Sequence, residues 1–164
     1  MMPDERVSPA KHVEQLLKGG FVHAGAWHRD ETSGSIRFEG ARSLQSEAGV
    51  YAYVVNGAVH YVGSAQRGLR SRLRRYEITK TLRTSHRIRQ EILAVLADGR
   101  EIDIYTIVPP SKTVNGLPVD MVVGLEEGLI RSWRPVWNVR GMGGPDAVDE
   151  SETEMTEGSH RRLP

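Results

Sequence analysis

The chain has 164 residues, 38% of them hydrophobic and 26% charged, which suits one domain with a real core and excludes two domains of ordinary size. It has no cysteine, so disulfides, thiolate catalysis and cysteine-bound zinc are excluded, and any metal must be held by carboxylate, imidazole or water. The formal net charge of +1 hides a segregation: nine Arg or Lys and one acid, Glu77, lie between Arg67 and Arg89, whereas six acids face Arg161 and Arg162 from Pro145 onward.

The segment SPAKHVEQLLKGG, from Ser8, predicts a short helix: Ser8 as cap, Pro9 at the first position, Val13, Leu16 and Leu17 as the apolar stripe, and Gly19-Gly20 as the stop. FVHAGAW and SGSIRFEG are weak strand candidates. GVYAYVV and VHYVG are strands joined at Asn56-Gly57, a strong hairpin signal. LRSRLRRYEI has helical spacing, and a second helix starts at the possible cap Ser85 and ends before Gly99. EIDIYTIV alternates like a strand until Pro109-Pro110. Asp120 caps a third helix, MVVGLEEGLIRSW, closed by Pro135. After Gly141 too few apolar residues remain to offset the entropy of ordering, which predicts a disordered tail.

The expected fold is α+β: a small, mainly antiparallel three-stranded sheet in the order β-β-α-α-β-α, flanked by helices. Residues 1–45 form an N-terminal extension packed on the core, 46–141 the main domain, and 142–164 a flexible acidic tail. No run of apolar residues approaches the roughly 20 that a membrane helix needs, and MMPDERVSPAKH lacks the apolar centre of a signal peptide. A cytoplasmic protein with no membrane partner is expected.

The hairpin has two available registers. A two-residue Asn56-Gly57 turn with uninterrupted pairing sets Tyr51 and Tyr61 on opposite faces. A three-residue loop, Val55-Asn56-Gly57, with a bulge at Gly57, makes them direct cross-strand neighbours. The second also sorts Val50, Ala52, Val54 and Val62 onto one face and Tyr51, Tyr53 and Tyr61 onto the other, so burial favours it.

With GVY, then YVG ten residues on, then RLRRY, and finally EEGLIRSWRPVWNVRG, the chain resembles the GIY-YIG nuclease superfamily over about Gly49 to Gly141. The resemblance implies a phosphodiester-cleaving site in which Tyr51 and Tyr61 point their hydroxyls inward and Arg72 contacts the scissile phosphate. It implies further that Glu126 binds one divalent metal and that Asn138 positions the neighbouring groups. Many members carry a histidine one turn after the arginine; this chain carries Tyr76 there.

The chemistry of these residue types agrees. Hydrolysis of a phosphodiester needs charge stabilisation at the phosphoryl oxygens, an activated water and a stabilised leaving oxygen. Arg72 offers a fixed fork of donors, and Tyr76, four residues on, shares its helix face. On the last helix Glu126 falls within the arc of Val122, Leu125, Leu129, Ile130 and Trp133, and Glu127 falls outside it. A carboxylate so placed must be paired or bind metal. One carboxylate suits Mg2+ or Mn2+ rather than zinc.

Tyr51 is the first candidate for general base, its phenol brought down from about 10 by Arg72 or a metal-bound water. Tyr76 is the second, and His86, ahead of the next helix, can assist or can serve as a cap or phosphate contact. Arg67, Arg70, Arg74, Arg75, Arg83, Arg87 and Arg89 are candidate contacts to the DNA backbone, adding salt-sensitive affinity without sequence information. The expected activity is metal-dependent DNA cleavage, the alternative a non-catalytic nucleic-acid-binding module with the same fold.

Overall fold

The computed structural model describes residues 7–40, 44–78 and 83–139; the tail expected to be disordered lies outside them. A 3-10 turn at Pro9–Lys11 leads into α1 (His12–Lys18). Pro9 takes the first position as expected, but Ser8 contributes its carbonyl to Lys11 and makes no side-chain cap. Next come β1 (Val22–Arg29), β2 (Ile36–Gly40), β3 (Gly49–Val55), β4 (Ala58–Ala65), α2 (Leu69–Ile78) and α3 (Arg83–Ala97). The chain continues through β5 (Ile102–Ile107), β6 (Lys112–Val114), β7 (Leu117–Val119), α4 (Met121–Trp133) and α5 (Val136–Val139). Asp120 caps α4 by accepting from Val123 N at 3.0 Å, and Arg134 leaves the helix at φ 46° just before Pro135.

The class is α+β, but the sheet has five strands where the sequence predicts three. Their order is β2-β1-β5-β3-β4, and every pair is antiparallel. The two extra strands are the weak candidates of the N-terminal segment, with β1 pairing along β5. Their signal is weak because β1 is irregular: its register with β5 shifts between His23 and Gly25, and Gly25 has φ 151°. A Cβ there would come within 2.2 Å of the Glu39 carbonyl oxygen. A separate exposed hairpin, β6–β7, turns at Asn115-Gly116 with the same φ values, 51° and 79°, as Asn56-Gly57. The sequence offers the same Asn-Gly signal there, masked by Pro118, which an exposed two-stranded pair tolerates.

The sheet separates two apolar clusters. On one face Tyr51, Tyr53 and Tyr61 meet Trp27, Ile104, Leu69, Leu73 and Tyr76 of α2, and Ile88 and Ile92 of α3. On the other, Val50, Ala52, Val54, Val59 and Val62 meet Leu16 of α1 and Val122, Leu125, Leu129, Ile130 and Trp133 of α4. The valine and tyrosine sets therefore segregate as predicted, though not by the predicted register. The turn has two residues, with Val55 opposite Ala58 and Val54 opposite Val59. His60 is then inserted as a bulge, after which Tyr53 pairs with Tyr61 and Tyr51 with Gly63. Tyr51 and Tyr61 share a face as diagonal neighbours, ring centroids 6.2 Å apart, not as a direct pair. The bulge sits three residues from its expected place because two-residue Asn-Gly turns match strand twist, and burial is satisfied by inserting the extra residue further along.

Strand β4 is an edge of the sheet, and two side chains cover it. His12 Nδ1 accepts from Val59 N at 3.0 Å, while the ring stacks on Trp133 at 4.5 Å. Asn138 engages both backbone groups of Val62: its Oδ1 accepts from the amide at 2.8 Å and its Nδ2 donates to the carbonyl at 2.9 Å. A strand with satisfied outward groups does not recruit another strand.

Candidate active site

On α2, Leu69, Arg72, Leu73 and Tyr76 are buried while Arg70, Ser71 and Arg74 are exposed. These buried positions recur at helical spacing and form one face, laid on the tyrosine side of the sheet. That placement separates Arg72 from the other arginines: it lies on an apolar stripe and is 4% exposed. Its Nε donates to Tyr51 Oη at 3.2 Å, Tyr51 Oη and Tyr76 Oη are 3.0 Å apart, and its guanidinium carbon lies 5.5 Å from the centre of the Tyr76 ring.

The two triplet glycines have steric reasons. The Tyr51 ring crosses over Gly63, its partner in the ladder, and a Cβ on Gly63 would lie 2.4 Å from Tyr51 Cζ and Oη. A Cβ on Gly49 would meet the Ile107 carbonyl oxygen at 2.4 Å and a Leu69 methyl at 2.7 Å, so this glycine admits α2 and β5 at close range. Tyr53, absent from the sequence-derived site, stands inside the same cluster, 5.3 Å from Tyr51 and 5.7 Å from Tyr76 between ring centroids. Its spacing of two from Tyr51 is the signal that places it on this face.

Burial, the largest influence, pushes the Tyr51 phenol well above its ordinary value; Tyr76 adds to this and Arg72 opposes it in part. Tyr53 and Tyr61 are pushed up for the same leading reason. The expectation that Arg72 brings Tyr51 down to serve as base is thus corrected: desolvation outweighs the cation, and Tyr51 remains a neutral phenol. Burial alone would depress the Arg72 guanidinium, but the oxygens of Tyr51 and Tyr76 beside it push it up, and it stays charged.

Residues 44–47 close the start of α2. Leu69 N donates to the Glu47 carbonyl, Arg70 N to that of Gln45, and Arg70 Nη2 to that of Leu44. Gly68, at φ 114°, admits this strap, since a Cβ would come 2.2 Å from the Ser46 oxygen. Beside it opens a cleft lined by Ser64, Gln66, Arg67, Gly68, Ser71, Arg72 and Arg75. Three arginines and two serines among the lining residues of one small opening suit an oxyanion such as phosphate.

The remaining predicted residues are placed as follows. Glu126 is half-buried on the inward arc of α4, as its spacing implies, whereas Glu127 is exposed and pairs with Arg131 at 3.8 Å. Among the described residues no three His, Asp or Glu side chains gather to hold a metal ion. An ion at Glu126 would therefore be completed by water and substrate, which fits Mg2+ or Mn2+. Asn138 engages the backbone of Val62, next to Tyr61, and so braces the strand.

His86 is exposed and lies within the first turn of α3, which starts two residues earlier than predicted, not in a linker. Arg67, Arg70 and Arg74 are exposed, Arg75 and Arg87 half-buried, and of Arg83 only the backbone is described. Arg89 is corrected: it is buried and its Nη2 donates to Ser35 Oγ at 2.5 Å, which makes it a structural post rather than a surface contact.

No family model matches the sequence, nor does any curated protein. Solved structures do match in fold. A Glu-to-Ala mutant of bacteriophage T4 EndoII superposes with a TM-score of 0.61 at 21% identity, over 77% of this chain and 97% of that one. The restriction endonuclease Hpy188I in complex with product DNA gives a TM-score of 0.47 at 14% identity, over 73% and 76%. The chain shares the fold seen in EndoII.

Proposed function

We propose that the protein is a GIY-YIG-type endonuclease that hydrolyses phosphodiester bonds in DNA, using one divalent ion, Mg2+ or Mn2+. The observation that carries this reading is Arg72, a buried guanidinium kept charged between Tyr51 and Tyr76 at the inner end of a cleft rimmed by Arg67 and Arg75. Burying a cation is costly, and on a nuclease fold the return is a strong, preorganised contact to an anionic phosphoryl group. In this reading a phosphodiester enters the cleft and Arg72 and Arg75 take its non-bridging oxygens. Arg67, Arg70 and Arg74 follow the flanking backbone.

The phenols act in the neutral form. Tyr51 holds Arg72 in place, and Tyr61 orients the attacking water by hydrogen bonding rather than by abstracting its proton. Glu126 would hold the ion, which when bound supplies an acidified water and offsets charge on the departing oxygen. The histidine position of other members is filled here by Tyr76, whose contact with Tyr51 makes it part of the clamp on Arg72.

The test is cleavage of labelled single-stranded and duplex DNA with Mg2+ or Mn2+, comparing the native protein with Glu126→Ala and adding EDTA as control. Metal-dependent cleavage lost in the variant is the expected result. If both proteins bind DNA and neither cleaves, a nucleic-acid-binding module on a nuclease fold replaces this reading.

A further inference from the structure

Glu77 is the single acid among the nine basic residues between Arg67 and Arg89, and it directly follows Tyr76. In a stretch suited to polyanions a carboxylate weakens attraction, so its presence calls for another reason. The structure supplies one. Glu77 Oε1 accepts from Phe38 N at 3.0 Å, which satisfies an outward amide on the free edge of β2. Its main-chain carbonyl accepts from Ser35 Oγ at 3.4 Å, and the same hydroxyl accepts from Arg89 Nη2. The last turn of α2 is thereby fastened at two points to the β1–β2 hairpin.

The same hairpin supplies the wall behind the site. Trp27 of β1 stands 6.1 Å from the Tyr76 ring and 5.9 Å from Tyr53, and Phe38 packs edge-on against Trp27 at 5.8 Å. Tyr76 is therefore held between an aromatic wall and Tyr51, and its distance from both depends on where α2 ends against β2. Arg72, one turn earlier on the same face, moves with it.

We propose that Glu77 is the positioning residue of this site: its carboxylate pins α2 to β2 so that Tyr76 and Arg72 are held against Tyr51. The inference rests on the nuclease reading for its functional consequence, but the pin itself is a property of the fold. It assigns the lone acid a hydrogen-bonding task in which charge is incidental, because the acceptor and not the ionisation meets Phe38 N.

The experiment compares Glu77→Ala with Glu77→Gln, which keeps an acceptor oxygen and removes the charge. Hydrogen exchange at the Phe38 amide is measured with no metal or DNA present, and steady-state cleavage of a labelled duplex with Mn2+ is measured alongside. The pin predicts a Phe38 amide protected in the native protein and in Glu77→Gln, and exposed in Glu77→Ala. It predicts kcat about tenfold lower or more in Glu77→Ala, with KM nearly unchanged and kcat recovered in Glu77→Gln. Ser35→Ala, which removes the second fastening and with it the acceptor of Arg89 Nη2, gives a smaller loss of the same kind.

Equal defects in Glu77→Ala and Glu77→Gln, or an effect confined to KM, would overturn the proposal in favour of a charge role. A Phe38 amide equally protected in all three proteins would also overturn it. If the native protein cleaves nothing, the nuclease reading fails, and the exchange measurement still decides whether the pin exists. Should Glu77→Ala not fold, Ser35→Ala and Glu77→Gln carry the comparison: native-like kcat in Ser35→Ala together with a lost Phe38 protection in Glu77→Gln contradicts the pin.

Discussion

Tyr51 Oη lies 3.0 Å from Tyr76 Oη and 3.2 Å from Arg72 Nε, so one phenol oxygen joins the sheet to two buried side chains of α2. The two tyrosines are not equivalent. Tyr51→Phe removes the acceptor of Arg72 Nε and the partner of Tyr76 together. Tyr76→Phe leaves the bond between Arg72 and Tyr51 intact. Leaving buried polar groups without this partner costs about 1–3 kcal/mol, so Tyr51→Phe is expected to be the more destabilised in urea and the more impaired in DNA cleavage. Equal effects in both assays would contradict the ranking.

Gly63→Ala isolates the steric part of the second triplet. The backbone there is not in the left-handed region, and the atoms nearest the added methyl all belong to Tyr51, 2.4 Å away at Cζ and Oη. Displacing a ring in a packed cluster costs about 1–3 kcal/mol, and the shift moves Tyr51 Oη away from Arg72. Thermal unfolding should show the loss, with cleavage falling by a larger factor than the stability change explains. Gly57→Ala is the matched control: its cost comes from φ 79° alone, since a Cβ there meets nothing within 4 Å, and cleavage by the folded fraction should remain normal.

His12 gives the fold a dependence on pH. Burial lowers its pKa from 6.5, a backbone contact with Val7 opposing this, and its Nδ1 is the acceptor for Val59 N. With the folded pKa below the unfolded one, the unfolded chain binds the proton first as pH falls. The stability conferred by the neutral ring is complete above about pH 6.5 and is lost as pH falls through the folded value. Urea titrations between about pH 7 and pH 5 should show a shallower decline in His12→Asn than in the native protein, although the variant is less stable at neutral pH. A parallel decline would assign the acid sensitivity elsewhere.

Much of this is legible in the sequence, and the gaps have physical causes. The valine and tyrosine faces of β3 and β4 follow from alternation, which is why they segregate even though the bulge sits at His60. That Glu126 faces inward and Glu127 outward follows from helix periodicity, and the exposed pairing of Glu127 with Arg131 agrees with it. Strand β1 is harder to read because Gly25 and a register shift interrupt its alternation. Glu77, Arg89 and residues 44–47 act through long-range hydrogen bonds, Glu77 and residues 44–47 with backbone groups and Arg89 with the Ser35 hydroxyl, and no local spacing encodes them. The direction of the Tyr51 shift depends on how deeply the hairpin is covered, which α2 and α3 determine.

The two splints on β4 tie distant parts of the chain to one strand, His12 from the first helix and Asn138 from the last. Domain-mapping by truncation therefore meets an obstacle. A fragment beginning at β3 lacks the imidazole over Val59 and also lacks β1, which pairs with β5. It would present two raw borders, one on each side of a three-stranded remnant, each able to template strands from a neighbouring copy. Such a fragment should precipitate or form fibrils even with every residue of the cleft in place.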